Sequence, residues 1–356
     1  MVKFKINKNI ISNSSKTYFI ADIAANHGGS LVRAKKLIRL CAKAGANAAK
    51  FQHFKAETIV LDEGFKKLGK LDHQSKWKSS VFDVYKKASI NPKWTKELVK
   101  ECKKNHIDFL TAPYDLNYVD ELDKFLPAYK IGSGDITWKE ILIKISKKLK
   151  PVILATGASN LQETIKATKL LLRFNKKIVL MQCNTNYTNS INNYHYINLN
   201  ALKEFKKKFK DKIILGLSDH TPGHATVLGS IALGARVIEK HFTDDNEREG
   251  PDHKFSMNPR AWKEMVIASR QLEKSLGDGH KKLESNEKLS VIIQRRGVWA
   301  KRDIIKNTKL KFQDLKFLRP CPKDSLSPFE INKYLGKKVK KNIKKNNLIT
   351  KSCISL

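Results

Sequence analysis

Polar residues recur at the ends of short apolar runs along this chain, and their types suit acid–base, anion and metal chemistry. In chain order they are Asp22, Asn26 and His27; Lys50 and Gln52; Thr111; Lys130, Ser133 and Asp135; Thr156 and Ser159; Gln182, Thr185 and Tyr187; Ser218, Asp219 and His220; and Glu239 and His241. Core packing does not account for such a set, because Lys and Asp rarely enter a core without partners. Lys50 and Lys130, with the hydroxyls of Thr111, Ser133 and Ser218, suit a phosphate or carboxylate. A strand-end lysine can instead act as a Schiff-base nucleophile. Two lysines beside hydroxyls favour the anion. The segment Thr156-Gly157-Ala158-Ser159 could offer backbone N–H groups to an anion, or Ser159 or Asn160 could simply cap the next helix.

His220 and His241 close consecutive runs. On neighbouring strands two imidazoles could hold one divalent ion, with water and carboxylates completing the shell. They could equally be structural histidines with hydrogen-bond partners, and spacing leaves both readings open. His224 could start the next helix, and His53, His73, His106, His195, His253 and His280 form no constellation.

The elements that must position these groups alternate in type. Apolar runs at 18–24, 48–51, 108–111, 128–131, 152–156, 178–182, 213–218 and 237–241 are each followed by an amphipathic helical stretch, with a long insertion after the second run. The helical stretches fall near 31–44, 92–105, 116–125, 139–147, 161–172, 199–209, 225–234 and 259–275. Repeated β-run and helix pairs predict an α/β protein with a closed (β/α)8 TIM barrel. An open doubly wound sheet usually begins with a G-x-G-x-x-G turn, which is absent. In a barrel of this kind the active groups gather at the C-terminal strand ends.

The pattern changes after Gly277. Residues 1–277 are expected to form the barrel, 278–290 a polar linker, and 291–356 a small β-rich domain with strand-like runs at 297–300, 309–312 and 338–343. A net charge of +36 admits nucleic-acid binding or a diffuse lysine excess that favours small anionic substrates. The lysines are scattered over helical faces and no nucleic-acid module is present, so the chain is not expected to bind nucleic acid specifically. Five cysteines without C-x-x-C spacing argue against a disulfide framework or zinc ribbon. With no run long enough for a membrane span and no apolar block at residues 1–15, the chain is expected to be soluble and cytoplasmic.

The same residues carry a family resemblance. Ala21-Asp22-Ile23-Ala24-Ala25-Asn26-His27-Gly28-Gly29 resembles the opening motif of the sialic-acid synthase family. Lys50-Phe51-Gln52, Tyr129-Lys130-Ile131-Gly132-Ser133-Gly134-Asp135, Ala155-Thr156-Gly157, Gly216-Leu217-Ser218-Asp219-His220-Thr221, Glu239-Lys240-His241-Phe242-Thr243 and Gly250-Pro251-Asp252 follow in that family's order. Lys301-Arg302-Asp303-Ile304, Leu318-Arg319-Pro320 and Tyr334-Leu335-Gly336-Lys337 resemble its C-terminal antifreeze-like (SAF, β-clip) domain.

The resemblance implies a nonulosonic acid synthase that condenses phosphoenolpyruvate with an N-acyl-amino-hexose and releases phosphate. It implies a domain-swapped homodimer and a divalent metal, Mn2+ or Mg2+, on His220 and His241. Lys50, Thr111, Lys130, Ser133 and Ser218 would hold phosphoenolpyruvate. Asp22 and Asp135, where the family often has glutamate, would manage water and protons. Gln52, Thr185, Tyr187 and Asp252 would contact substrate, and Arg319 would reach the N-acyl group from a partner's tail. Ala155 stands where some members have a phosphate-binding serine, and Thr185 where some have asparagine. The acceptor could be N-acetylmannosamine, a 2,4-diacetamido-trideoxyhexose or a 6-phosphorylated sugar. Two other readings remain: a barrel aldolase with a lysine Schiff base, and a non-enzymatic carbohydrate- or nucleic-acid-binding protein.

Overall fold

Apolar residues of alternating direction build this molecule from its N-terminus onward. The computed structural model describes residues 2–69, 74–75 and 77–355. Two compact units emerge, Met1–Gly277 and Asp278–Leu356. The first residues, which lack an apolar block, form an antiparallel hairpin of β1 (Lys3–Ile6) and β2 (Asn9–Ser12). Its inward side chains Phe4, Ile6 and Ile11 join a core with Tyr18, Leu110, Ile153 and Val237.

Eight parallel strands follow: β3 (Tyr18–Asp22), β4 (Ala48–His53), β5 (Asp108–Pro113), β6 (Tyr129–Ile131), β7 (Val152–Ala155), β8 (Ile178–Cys183), β9 (Ile214–Asp219) and β10 (Val237–His241). Their order is β5-β4-β3-β10-β9-β8-β7-β6. The first and last barrel strands pair, with Val237 opposite Tyr18 and His241 opposite Asp22. β5 and β6 lie side by side without a shared ladder, so the ring is nearly closed. The TIM-barrel expectation is met.

Strand side chains alternate between two sides, so alternate residues fill the barrel and the others meet the helices. Val237, Ile214, Val179, Ile153 and Leu110 pack inside near the N-terminal strand ends. Ile238, Leu215, Leu180, Leu154 and Phe109 face out to the larger core under the helices. The helices start where local chemistry starts them. Ser30 accepts from the Arg33 N–H ahead of Leu31–Lys43, and Asn258 caps Pro259–Ser275 with proline at the first turn. The insertion after β4 carries short helices Ala56–Ile59, Asp62–Leu68 and Val81–Ala88.

In the second unit, the expected linker ends in a helix, Lys288–Gln294, rather than in loop. β11 (Gly297–Ala300) pairs antiparallel with β12 (Leu315–Leu318), a strand the sequence reading missed. Residues 309–312 and 338–343 touch through single bridges, such as Lys309 with Lys338, instead of forming long strands. Val298, Leu310, Leu326, Val339 and Ile349 form its core. Among the described residues, no helix is long and apolar enough to cross a membrane. None of the five cysteines is in a disulfide.

Candidate active site

Inside the barrel, the apolar filling gives way to charge in the last layers toward the C-terminal strand ends. On β10 the inward positions run Val237, Glu239, His241; β9 continues from Ser218 to His220; β3 ends in Asp22; β4 and β6 supply Lys50 and Lys130. Lys50 Nζ lies 2.5 Å from Asp22 Oδ2 and 3.2 Å from Glu239 Oε1. Lys130 Nζ lies 3.3 Å from the same Glu239 oxygen, and Ser218 Oγ donates to it at 3.3 Å. Asp22, Lys50, Lys130 and Glu239 are all buried, none more than 3% exposed. Burial opposes charge on Lys50, but Asp22 and Glu239 overcome it and hold the ammonium above its ordinary range. Burial likewise opposes ionisation of Glu239, and Lys130 and Lys50 pull its carboxyl down to about 2. The result is a fixed cluster of charges at the floor of a cavity.

That cavity has a volume of about 550 Å3. Asp22, Lys50, Gln52, Lys130, Ser133, Asp135, Thr185, Tyr187, Ser218, His220, His241 and Asp252 all line it. Burial raises Asp135 to about 6 against the opposing pull of Lys130. Asp252 is also raised to about 6, chiefly by burial, although it accepts the Ala25 N–H at 3.1 Å.

One predicted residue is not brought here. Thr111 has the wrong parity: Leu110 points into the barrel and Thr111 out of it, where its Oγ1 lies 2.8 Å from His53 Nδ1. His53 also meets Thr95 Oγ1 at 3.0 Å, so these three form a buried structural network. Arg319 belongs to the C-terminal unit, exposed just after β12. Thr156 also points outward, to the Met181 carbonyl. Asn160 caps the following helix in a capping box with Glu163, and the Gly157 N–H donates to Ser133 Oγ at 2.9 Å. Gly157 is required by close approach, since a Cβ there would stand 2.5 Å from Thr185 and 2.9 Å from Ser133 Oγ. His27 sits outside the cavity, accepting the Gly29 N–H and packing edge-on against Trp94. His73 lies outside the described residues.

His220 and His241 face each other with ring centroids 5.4 Å apart, flanked by Tyr187 and Phe255. His220 Nδ1 is 2.8 Å from the Asn184 carbonyl, so it must carry the proton and leave the Nε2 lone pair available. His241 Nδ1 is buried with no hydrogen-bond partner. Burial lowers both rings to about 3, keeping them neutral, the state that binds metals. A ring nitrogen oriented by a backbone carbonyl is the usual support of a metal-binding histidine. Among the described residues no group of three or more His, Cys, Asp or Glu could hold a metal by itself. The donor set therefore suits an ion that takes two protein ligands and completes its shell with water or substrate.

The residue that sequence reasoning left without a role is Glu239. It bridges both lysines, and its signal was parity: it stands two residues before His241 on one strand and therefore faces the same cavity. The wall contributed by the insertion, including Phe54, Ile59, Val84 and Tyr85, was also unforeseen.

Fold and site together define a (β/α)8 enzyme with paired lysines and paired imidazoles at one mouth. The chain belongs to the NeuB family, the sialic-acid synthases, whose model matches residues 37–281, and it carries a SAF domain over residues 295–355. It is 38% identical over 338 residues to the N,N'-diacetyllegionaminic acid synthase of Campylobacter jejuni subsp. jejuni serotype O:2, covering 94% of this chain and 99% of that protein. The pseudaminic acid synthase of the same organism is 34% identical over 340 residues, covering 94% of this chain and 95% of its own length. Among solved structures, the N-acetylneuraminic acid synthetase of Leptospira borgpetersenii serovar Hardjo-bovis, in complex with citrate, superposes with a TM-score of 0.70 at 25% identity, covering 82% of this chain and 95% of that one.

Proposed function

We propose that this chain condenses phosphoenolpyruvate with the open-chain form of an N-acyl-amino-hexose, giving a nonulosonic acid and inorganic phosphate. The observation that supports this most is the convergence of Lys50, Lys130, Asp22, Glu239, His220 and His241 on one cavity. Lys50 and Lys130 offer positive charge to the carboxylate and phosphate of phosphoenolpyruvate, and Ser133 and Ser218 add hydroxyl donors. The enol carbon attacks the aldehyde carbon, forming the C–C bond, and the aldehyde oxygen takes up a proton. Water adds at the cationic C2 and loses a proton. The C2–O bond to phosphate then breaks as the C2 hydroxyl gives its proton to the leaving phosphate, and the 2-keto acid remains. Asp135, with its carboxyl at about 6, is suited to exchange those protons near neutral pH, and Asp22 is the second candidate. His220 and His241 would hold a divalent Mn2+ or Mg2+, which when bound polarises the acceptor's aldehyde oxygen. A homodimer belongs to the same proposal, and its mass in solution tests it.

A Schiff-base aldolase is disfavoured by the ion pairs of Lys50, because that chemistry needs an ammonium lowered toward neutrality rather than held up. The test is phosphate release from phosphoenolpyruvate with a panel of N-acyl-amino-hexoses. Release that requires both substrates supports the synthase. A borohydride-trapped pyruvate adduct on Lys50 or Lys130, without phosphate release, overturns it.

A further inference from the structure

A second cavity, of about 630 Å3, lies outside the strand ring, beside the mouth. It is set between the starts of the helices Leu161–Phe174 and Ala201–Phe209, at the end of β8. Strand parity separates the two spaces. Met181 packs inside the barrel and Cys183 lines the mouth, so Gln182 between them turns outward into the second cavity. The two share a rim of Ala158, Cys183 and Thr185. The outer cavity is rich in amides, from Asn160, Gln182, Asn184, Asn186 and Asn198. Lys and Arg make up 70 of the chain's 356 residues, yet none of the described residues lining this cavity is cationic.

The amides leave hydrogen-bonding ends for a ligand. Asn160 Oδ1 accepts the Glu163 N–H, Gln182 Nε2 donates to the Ile197 carbonyl, and Asn186 Oδ1 accepts the Thr188 N–H. The opposite end of each, two NH2 groups and one carbonyl oxygen, is left to the cavity. Donors and acceptors side by side match hydroxyl groups, which act as both. Tyr196, 69% exposed, adds an aromatic ring at the edge, suited to the C–H face of a sugar. An anion finds no cation here and meets the Glu204 carboxylate instead. A cation is repelled by the chain's net charge of +36. We propose that this cavity is a second binding site, for an uncharged, hydroxyl-rich sugar, separate from the site of condensation. The segment 184–198 borders both spaces: its Asn184 carbonyl lies 2.8 Å from His220 Nδ1, and its Tyr187 packs on the His220 ring. An occupant of the outer cavity therefore bears on the loop that orients an imidazole of the mouth.

The probes are the uncharged methyl glycosides of glucose, N-acetylglucosamine and N-acetylmannosamine, which cannot open to an aldehyde and so cannot turn over. At least one should bind the unmodified protein saturably in calorimetric titration. It should also slow backbone hydrogen exchange across 158–164 and 184–198. Methyl glucoside 6-phosphate should bind more weakly than methyl glucoside. Tyr196→Ala, an exposed truncation, should weaken the glycoside roughly tenfold, the scale of one lost ring contact, and Tyr196→Trp should retain it. Failure of all three glycosides to bind saturably overturns the proposal. So do tighter binding of the phosphate, protection confined to the strand ends that carry Lys50 and His241, and an affinity unmoved in folded Tyr196→Ala. The exchange pattern of the unmodified protein decides the matter if the variant does not fold.

Discussion

Lys240 Nζ lies 2.5 Å from Asp219 Oδ2, and the two residues are partners across the ladder between β9 and β10. Both side chains are fully buried and point out of the barrel, so they carry no part of the cavity. Lys240 also donates to the Thr221 carbonyl, and the hydroxyls of Thr221 and Thr226 donate to Asp219. The next residue on each strand is the inward imidazole, His220 or His241. The buried pair therefore clips together, from behind, the two strand ends that present the histidines. Replacing Lys240 by Met leaves Asp219 buried without its counter-charge, and breaking such a pair costs about 3–5 kcal/mol. Denaturant unfolding checks the loss. A variant in which both partners are made apolar, Lys240→Met with Asp219→Leu, should recover much of it.

Legibility from sequence followed local signal strength. Pro259–Ser275 was read to the residue because Asn258 and Pro259 announce the start of the helix. Val237–His241 was read equally well, since turn residues bound a short apolar run. The N-terminal hairpin was not foreseen, because only three of its side chains point inward and polar residues separate them. Lysine-rich sequence hid the β12 strand in the same way. At the site, polar residue type located the strand ends but not their direction. Thr111 and Glu239 both looked like strand-end polar groups, and inward parity alone separates the structural threonine from the central glutamate.

Asp135 supplies a pH test with a definite sign. Its carboxyl is raised to about 6, and an ionised group is needed to accept a proton, so turnover should fall as pH drops below about 6. Asp135→Asn should lower kcat by roughly 10²–10⁴-fold and remove that acidic limb. For stability the direction is opposite. Asp135 and Asp252, also at about 6, bind protons more readily folded than unfolded. Their contribution is full below the ordinary carboxyl range and is lost as pH rises through about 6. Unfolding midpoints of Asp135→Asn should therefore depend less steeply on pH between those limits. A midpoint series parallel to that of the unmodified protein would contradict the raised carboxyl.

His241 offers a test of the proposed metal by binding as well as by turnover. Calorimetric titration with Mn2+ should show one site in the unmodified chain, and His241→Ala should lose it while keeping its far-ultraviolet circular dichroism. Chelation should silence the unmodified enzyme and added Mn2+ restore it. Turnover that persists after chelation would mean that the two imidazoles are structural neighbours and not metal ligands.

The hairpin at the other end of the barrel separates stability from chemistry. Ile6 and Ile11 are fully buried among the inward residues Tyr18, Leu110 and Val237. Asn7 and Asn9 donate to the Asp108 carboxylate at 2.6 and 3.0 Å, and the Tyr18 hydroxyl donates to it at 2.7 Å. The hairpin thus plugs the barrel floor and is pinned there by one buried acid. Ile6→Ala or Ile11→Ala should cost about 2–5 kcal/mol, as buried truncations do. Groups at this end of a barrel serve stability, while chemistry sits at the other. At a temperature where the variants remain folded, kcat should therefore stay within a few-fold of the unmodified protein. Asp108→Ala should also destabilise, because it leaves the buried Tyr18 hydroxyl without its acceptor. A collapse of kcat in a variant whose unfolding midpoint barely moves would show that the plug is coupled to the mouth and is more than a stopper.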